Sequence, residues 1–80
     1  MNSPRRQALV QRWQQVQAMQ GEGYPPSPCL SVCVMNPQTG WCEGCLRKLD
    51  EIAVWGGAPL AQQHAIWQRI GERLNQETQP

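Results

Sequence analysis

The chain has no phenylalanine, one tyrosine and one histidine among its 80 residues. Large apolar side chains are limited to four tryptophans and a modest set of Leu, Ile and Val. A chain of this length buries only roughly 60% of the surface it exposes when unfolded. Small scaffolds of this kind compensate with disulfides, a metal ion or oligomerisation. A staple is therefore expected from size and composition alone.

Charge is also scarce, with seven basic and six acidic residues and a formal balance of +1. The basic residues cluster only as Arg5-Arg6 and Arg47-Lys48. Phosphate-driven recognition needs clustered positive charge, so a nucleic acid is not the expected partner. No apolar run approaches the ~18 to 20 residues of a membrane span. The opening "MNSPRRQALVQRW" lacks the apolar core of a secretory signal, and a cytoplasmic location is expected. In that reducing compartment disulfides are rare and crowded cysteines more often hold metal or do redox chemistry. The sequence shows no Ser/His/Asp set, no glycine-rich phosphate loop and no evident carboxylate pair, so no enzyme is expected. There is no internal repeat and no long linker.

Against these absences stands "SPCLSVCVMNPQTGWCEGC", which holds all four cysteines, Cys29, Cys33, Cys42 and Cys45. Two disulfides, a metal site and a redox-active pair are the alternatives. The spacing is C-x3-C-x8-C-x2-C. Cysteines two or three residues apart can give two ligands to one centre, because a tight turn points both sulfurs inward. Zinc and iron–sulfur centres each take four thiolates. In "CEGC", Gly44 leaves room for backbone N–H groups to approach the sulfurs, which supports thiolate charge. Zinc is the expected ion and an iron–sulfur cluster the alternative. Four cysteines close the coordination shell, whereas a catalytic zinc keeps one position open.

The rest of the chain reads as mainly α, a small metal-stapled domain with two to three helices around the four-cysteine knuckle. Residues 1–23 form an N-terminal amphipathic helix unit, residues 24–75 the four-cysteine metal-binding domain, and residues 76–80 a flexible tail. The first helix is expected over residues 3–20, with Ser3 as N-cap and Pro4 at the first helical position. Its apolar stripe is Leu9, Trp13 and Val16, and Gly21 and Gly23 end it. "YPPSP" favours an extended approach to Cys29, and "NPQTG" a turn that folds the first cysteine pair back toward the second. After Cys45 a helix is expected directly, with Leu46, Leu49, Ile52, Ala53 and Trp55 on its inner face. The positive end of that helix would favour an adjacent thiolate. A last helix from about Pro59 to Asn75 carries Leu60, Trp67, Ile70 and Leu74, with Ile66 flanking. Gly71 inside it costs about 1 kcal/mol against Ala, which suggests a close helix contact.

Trp41, Trp55 and Trp67 are expected in the core, Trp41 also shielding the metal. Arg47 and Glu51, at i and i+4, read as a surface pair, or Arg47 screens the thiolate charge. His64 is expected exposed or half-buried and not a ligand.

"SPCLSVC" followed by "GWCEGCLRKLDEIAVW" resembles the bacterial family called Domain of Unknown Function 1289, whose members are often described as predicted iron–sulfur proteins. The similarity covers roughly residues 27–74. It implies a small intracellular module with Cys29, Cys33, Cys42 and Cys45 as metal ligands, and no established reaction. The glutamine-rich N-terminal helix lies outside the shared motif. The expected role is a structural metal site in an adaptor for another protein. The second class is an iron–sulfur protein in electron transfer, sensing or cluster delivery.

Overall fold

Two long helices carry most of the structure. The computed structural model describes residues 4–29 and 34–78; the Ser3 cap and Cys33 lie outside the described residues. Helix α1 spans Pro4–Met19, α2 Leu49–Val54 and α3 Leu60–Thr78, with a 3-10 turn at Trp55–Gly57 between α2 and α3. Among the described residues there is no strand, only isolated antiparallel bridges from Met35 to Cys42 and from Trp41 to Lys48. The chain is mainly α.

Helices α1 and α3 pack on each other. The stripe read from the sequence of α1 is the one it buries: Leu9 and Val16 are inside and Trp13 half-buried. They meet Leu46, Ile66, Trp67, Ile70 and Leu74 in one core. Ile66, expected at the flank, is fully part of it. Trp13 and Trp67 stack with centroids 6.3 Å apart and planes 13° from parallel, an offset geometry that aromatic pairs favour. Gly71 makes this approach feasible, since a Cβ there would run into the ring carbons of Trp13.

Helix α1 ends in left-handed backbone at Gln20 (φ 53°) and Gly21 (φ 82°). The proline-rich stretch after it is held to α3 by two side chains. Trp67 Nε1 donates to Pro26 O at 2.8 Å, and His64 Nε2 lies 2.8 Å from Gly23 O. A carbonyl only accepts, so this His64 nitrogen carries the proton. His64 is buried, not exposed or half-buried as its place in the sequence suggested. Helix α3 continues to Thr78, past the expected end at Asn75 and into the first residues of the expected tail.

The segment after Cys45 departs from expectation. No helix follows directly. Leu46 is left-handed (φ 62°), Lys48 is extended, and α2 begins only at Leu49. The reason is the return of the chain beside the knuckle, where Cys42 N–H donates to Arg47 O at 2.8 Å. The apolar stripe therefore breaks: Leu46 is buried, but Leu49 is 65% exposed and Ala53 is exposed. Glu51 caps α2 by accepting from Lys48 N–H at 2.8 Å.

Candidate metal centre

Residues 34–48 form two successive turns. In the first, Glu43 N–H donates to Val34 O and Asn36 N–H to Trp41 O, both at 2.8 Å. Asn36 Oδ1 accepts from Gln38 N–H at 2.8 Å, and Gly40 at φ 75° completes the reversal. Asn and Gly serve turns for these reasons, local acceptance and tolerance of positive φ. The second turn is the Cys42–Cys45 knuckle. Leu46 N–H returns to Cys42 O at 2.8 Å, and the left-handed φ at Leu46, which costs a non-glycine residue, then turns the chain so that Arg47 O accepts from Cys42 N–H.

The knuckle aims donors at its sulfurs. Burial works to raise the Cys42 thiol, but the N–H groups of Cys45 and Gly44, the Cys45 thiol and the Val34 N–H together outweigh it. Cys42 is held below the ordinary thiol value. Burial also raises Cys45, where the Arg47 side chain, N–H and charge only partly oppose it. Arg47 Nε donates to Cys45 Sγ at 3.1 Å, and its guanidinium lies 5.6 Å from the Trp55 ring centroid. Arg47 thus screens a sulfur. The surface pair with Glu51 does not form, because Arg47 precedes α2 and Glu51 faces α3. The helix-terminus contribution expected at Cys45 is likewise absent, since α2 starts too late.

Glu51 is instead buried between two arginines of α3. Arg73 Nη1 and Nη2 meet its two oxygens, with 3.2 Å for the second, and Arg69 reaches it at 3.3 Å. Burial works to raise this carboxyl, but Arg73, the Lys48 N–H and Arg69 hold it below its ordinary 4.5. Arg73 Nη1 also donates to Leu46 O at 2.7 Å, and its guanidinium carbon lies 5.4 Å from the Trp41 ring centroid. The strained turn residue is thereby fixed from α3.

Of the expected ligands, Cys42 and Cys45 are brought together and buried, while Cys29 is a free, exposed thiol. Cys33 lies outside the described residues. Among the described residues no three Cys, His, Asp or Glu side chains are gathered to hold a metal ion. The chemistry of the donor set at Cys42 and Cys45 nevertheless fits a thiolate-bound metal: several N–H groups converge on sulfur and a cation sits beside it. Trp41 is half-buried, not a full core residue, and lines a cleft of about 160 Å³ with Arg6, Asn36 and Cys42.

Sequence reasoning missed Arg6 and Arg12 of α1. Arg6 Nη2 donates to Glu43 O at 3.0 Å and Nη1 to Gly44 O at 3.2 Å. Arg12 Nη1 donates to Ser27 O at 3.0 Å and Cys29 O at 2.9 Å. At ~100° per residue the two arginines border the Leu9–Trp13–Val16 stripe, one on each side. That placement was the available signal.

No curated protein and no solved structure matches the chain. Residues 27–74, more than half of the sequence, match the family model described as "Protein of unknown function (DUF1289)". All four cysteines lie in that segment and α1 lies outside it. The chain belongs to the DUF1289 family.

Proposed function

We propose that the protein is a small cytoplasmic metal-binding module in which Cys29, Cys33, Cys42 and Cys45 hold one zinc ion structurally. The folded unit serves as an adaptor for another protein and catalyses no reaction. The observation that carries this is the convergence of backbone N–H groups on Cys42 Sγ, with Arg47 on Cys45 Sγ. Buried thiols without such donors would be costly to ionise, and metal binding requires the thiolate. A disulfide-exchange pair is disfavoured because Cys42 is fully buried and exchange needs access to the attacked sulfur. Leu49 and Val54 leave apolar surface exposed at the two ends of α2, which suits a protein partner. Zinc accepts four sulfurs without redox change, so a closed site holds structure.

The same donors would serve an iron–sulfur cluster, whose potential depends on hydrogen bonds to its sulfurs. The two readings separate by metal and not by fold. Purification without oxygen, elemental analysis and an absorption spectrum decide between them. The expected result is a colourless protein with about one zinc per chain. Stoichiometric iron with labile sulfide would move the function to electron transfer, sensing or cluster delivery. Two disulfides and no metal would end the metal reading altogether.

A further inference from the structure

Helix α1 stands outside the matched family segment, yet one of its side chains reaches the centre of the knuckle. Arg6 is separated from Glu43 and Gly44 by 37 and 38 residues and donates to both of their carbonyls. A carbonyl and the N–H of the next residue belong to one planar peptide unit and point in opposite directions. The Glu43 carbonyl therefore shares its plane with the Gly44 N–H, and the Gly44 carbonyl with the Cys45 N–H. Those are two of the N–H groups that donate to Cys42 Sγ. One guanidinium thus holds the far ends of both peptide units whose near ends solvate the sulfur.

We propose that Arg6 is a positioning residue for Cys42, a two-pronged clamp that orients and polarises the Glu43–Gly44 and Gly44–Cys45 peptide groups toward its sulfur. Hydrogen bonds in a chain polarise one another, and a planar guanidinium presents its donors in a fixed fork suited to two neighbouring acceptors. A lysine, with a single point of charge, cannot reproduce that fork. The helix that carries Arg6 is itself anchored by Leu9, fully buried one turn on, and by Trp13 against Trp67 and Gly71. The clamp is therefore anchored to the core through its helix, with the Gly44 bond part-buried and the Glu43 bond exposed. It makes α1 part of the site.

The inference rests on the metal reading for its consequence but not for its geometry, and the test separates the two. Amide hydrogen exchange is measured by NMR on the full chain as purified without oxygen, for the native protein, R6K and R6Q. The expected result in R6Q is at least ~10-fold faster exchange at Gly44 and Cys45, with Ile70 and Leu74 in α3 unchanged, R6K falling between. In parallel each protein is loaded with cobalt, and affinity is read by chelator competition. Contacts that support ligands are worth about 10- to 100-fold in metal affinity. R6Q is expected to lose that much and to shift the sulfur-to-cobalt absorption, whereas Q14A on the exposed face of α1 changes neither. Native-like exchange at Gly44 and Cys45 in R6Q overturns the proposal. If R6Q loses protection in α3 as well, R6K decides: native exchange at both amides overturns the proposal, selective acceleration supports it. Failure of the native protein to take up cobalt would count against the metal reading, while the exchange result still judges Arg6.

Discussion

The two cysteine-bearing segments are housed in opposite ways. Cys42 and Cys45 are buried in a knuckle held by Arg6 from α1, Arg73 from α3 and Arg47 from within. Cys29 is exposed, and what fixes it is backbone: Arg12 on its carbonyl, and Trp67 and His64 on the carbonyls of Pro26 and Gly23 before it. Cys42 and Cys45 are built into the core, and Cys29 lies at the end of an extended segment laid on α3. In a small domain, a rigid pair of ligands lowers the ordering cost that metal binding must meet. The knuckle should therefore dominate both affinity and stability.

The largest effect should come from the cysteines. Replacing any of the four by Ser should lower metal content, but C42S and C45S should lose it entirely and unfold the centre of the protein, whereas C29S should retain weakened binding. Elemental analysis and thermal unfolding of the variants would show this. Equal losses at Cys29 and Cys42 would erase the distinction between the halves.

The brace behind the knuckle should come next. E51A leaves Arg73 buried without its counter-charge, a change that typically costs about 3–5 kcal/mol, readable by urea denaturation. The carboxyl also has a pH signature. Its folded value lies below 4.5, so its contribution is complete above the unfolded value and is lost as pH falls through the folded one. E51Q should remove that part of the acid dependence. An unchanged acid limb would mean the Glu51–Arg73 pair adds nothing to knuckle stability.

G71A should cost about 1–3 kcal/mol, because the Cβ overpacks the Trp13 ring. A helical glycine replaced by alanine would otherwise gain stability, so the sign of the change in melting temperature is the check. R12Q should be mildest, at or below about 1 kcal/mol, because its bonds are exposed. Its effect should be confined to the Cys29 side, with Gly44 and Cys45 exchange unchanged. A loss as large as that of E51A would show that the exposed half is braced as firmly as the buried one.

The long helices were legible because their information is local and periodic. Leu9, Trp13 and Val16 in α1, and Trp67, Ile70 and Leu74 in α3, recur at helical spacing, and Gly71 marked the close approach. The "NPQTG" turn was legible from its residue types. What escaped were features set by particular hydrogen bonds and not by periodicity. Leu46 continues an apolar spacing, yet the local bond from Cys42 N–H to Arg47 O turns the chain through left-handed backbone at Leu46 and delays α2. Arg47 and Glu51 have ideal spacing for a pair, yet each is claimed by a stronger partner, a sulfur and a buried arginine. His64 is the one histidine of the chain and sits among polar residues of its helix, so nothing local signals its bond to the returning Gly23 carbonyl. The cysteine spacing marked Cys42 and Cys45 as a close pair, but the arginines that hold their knuckle come from helices 37 residues upstream of Glu43 and 27 downstream of Leu46.

The central claim is that four sulfurs surround one zinc ion. X-ray absorption at the zinc edge, on protein purified without oxygen, tests it most directly. Four sulfur neighbours at about 2.3 Å, with no nitrogen or oxygen in the shell, is the expected result. A shell with fewer than four sulfurs, or a sample whose metal is iron with a second iron nearby, would contradict it.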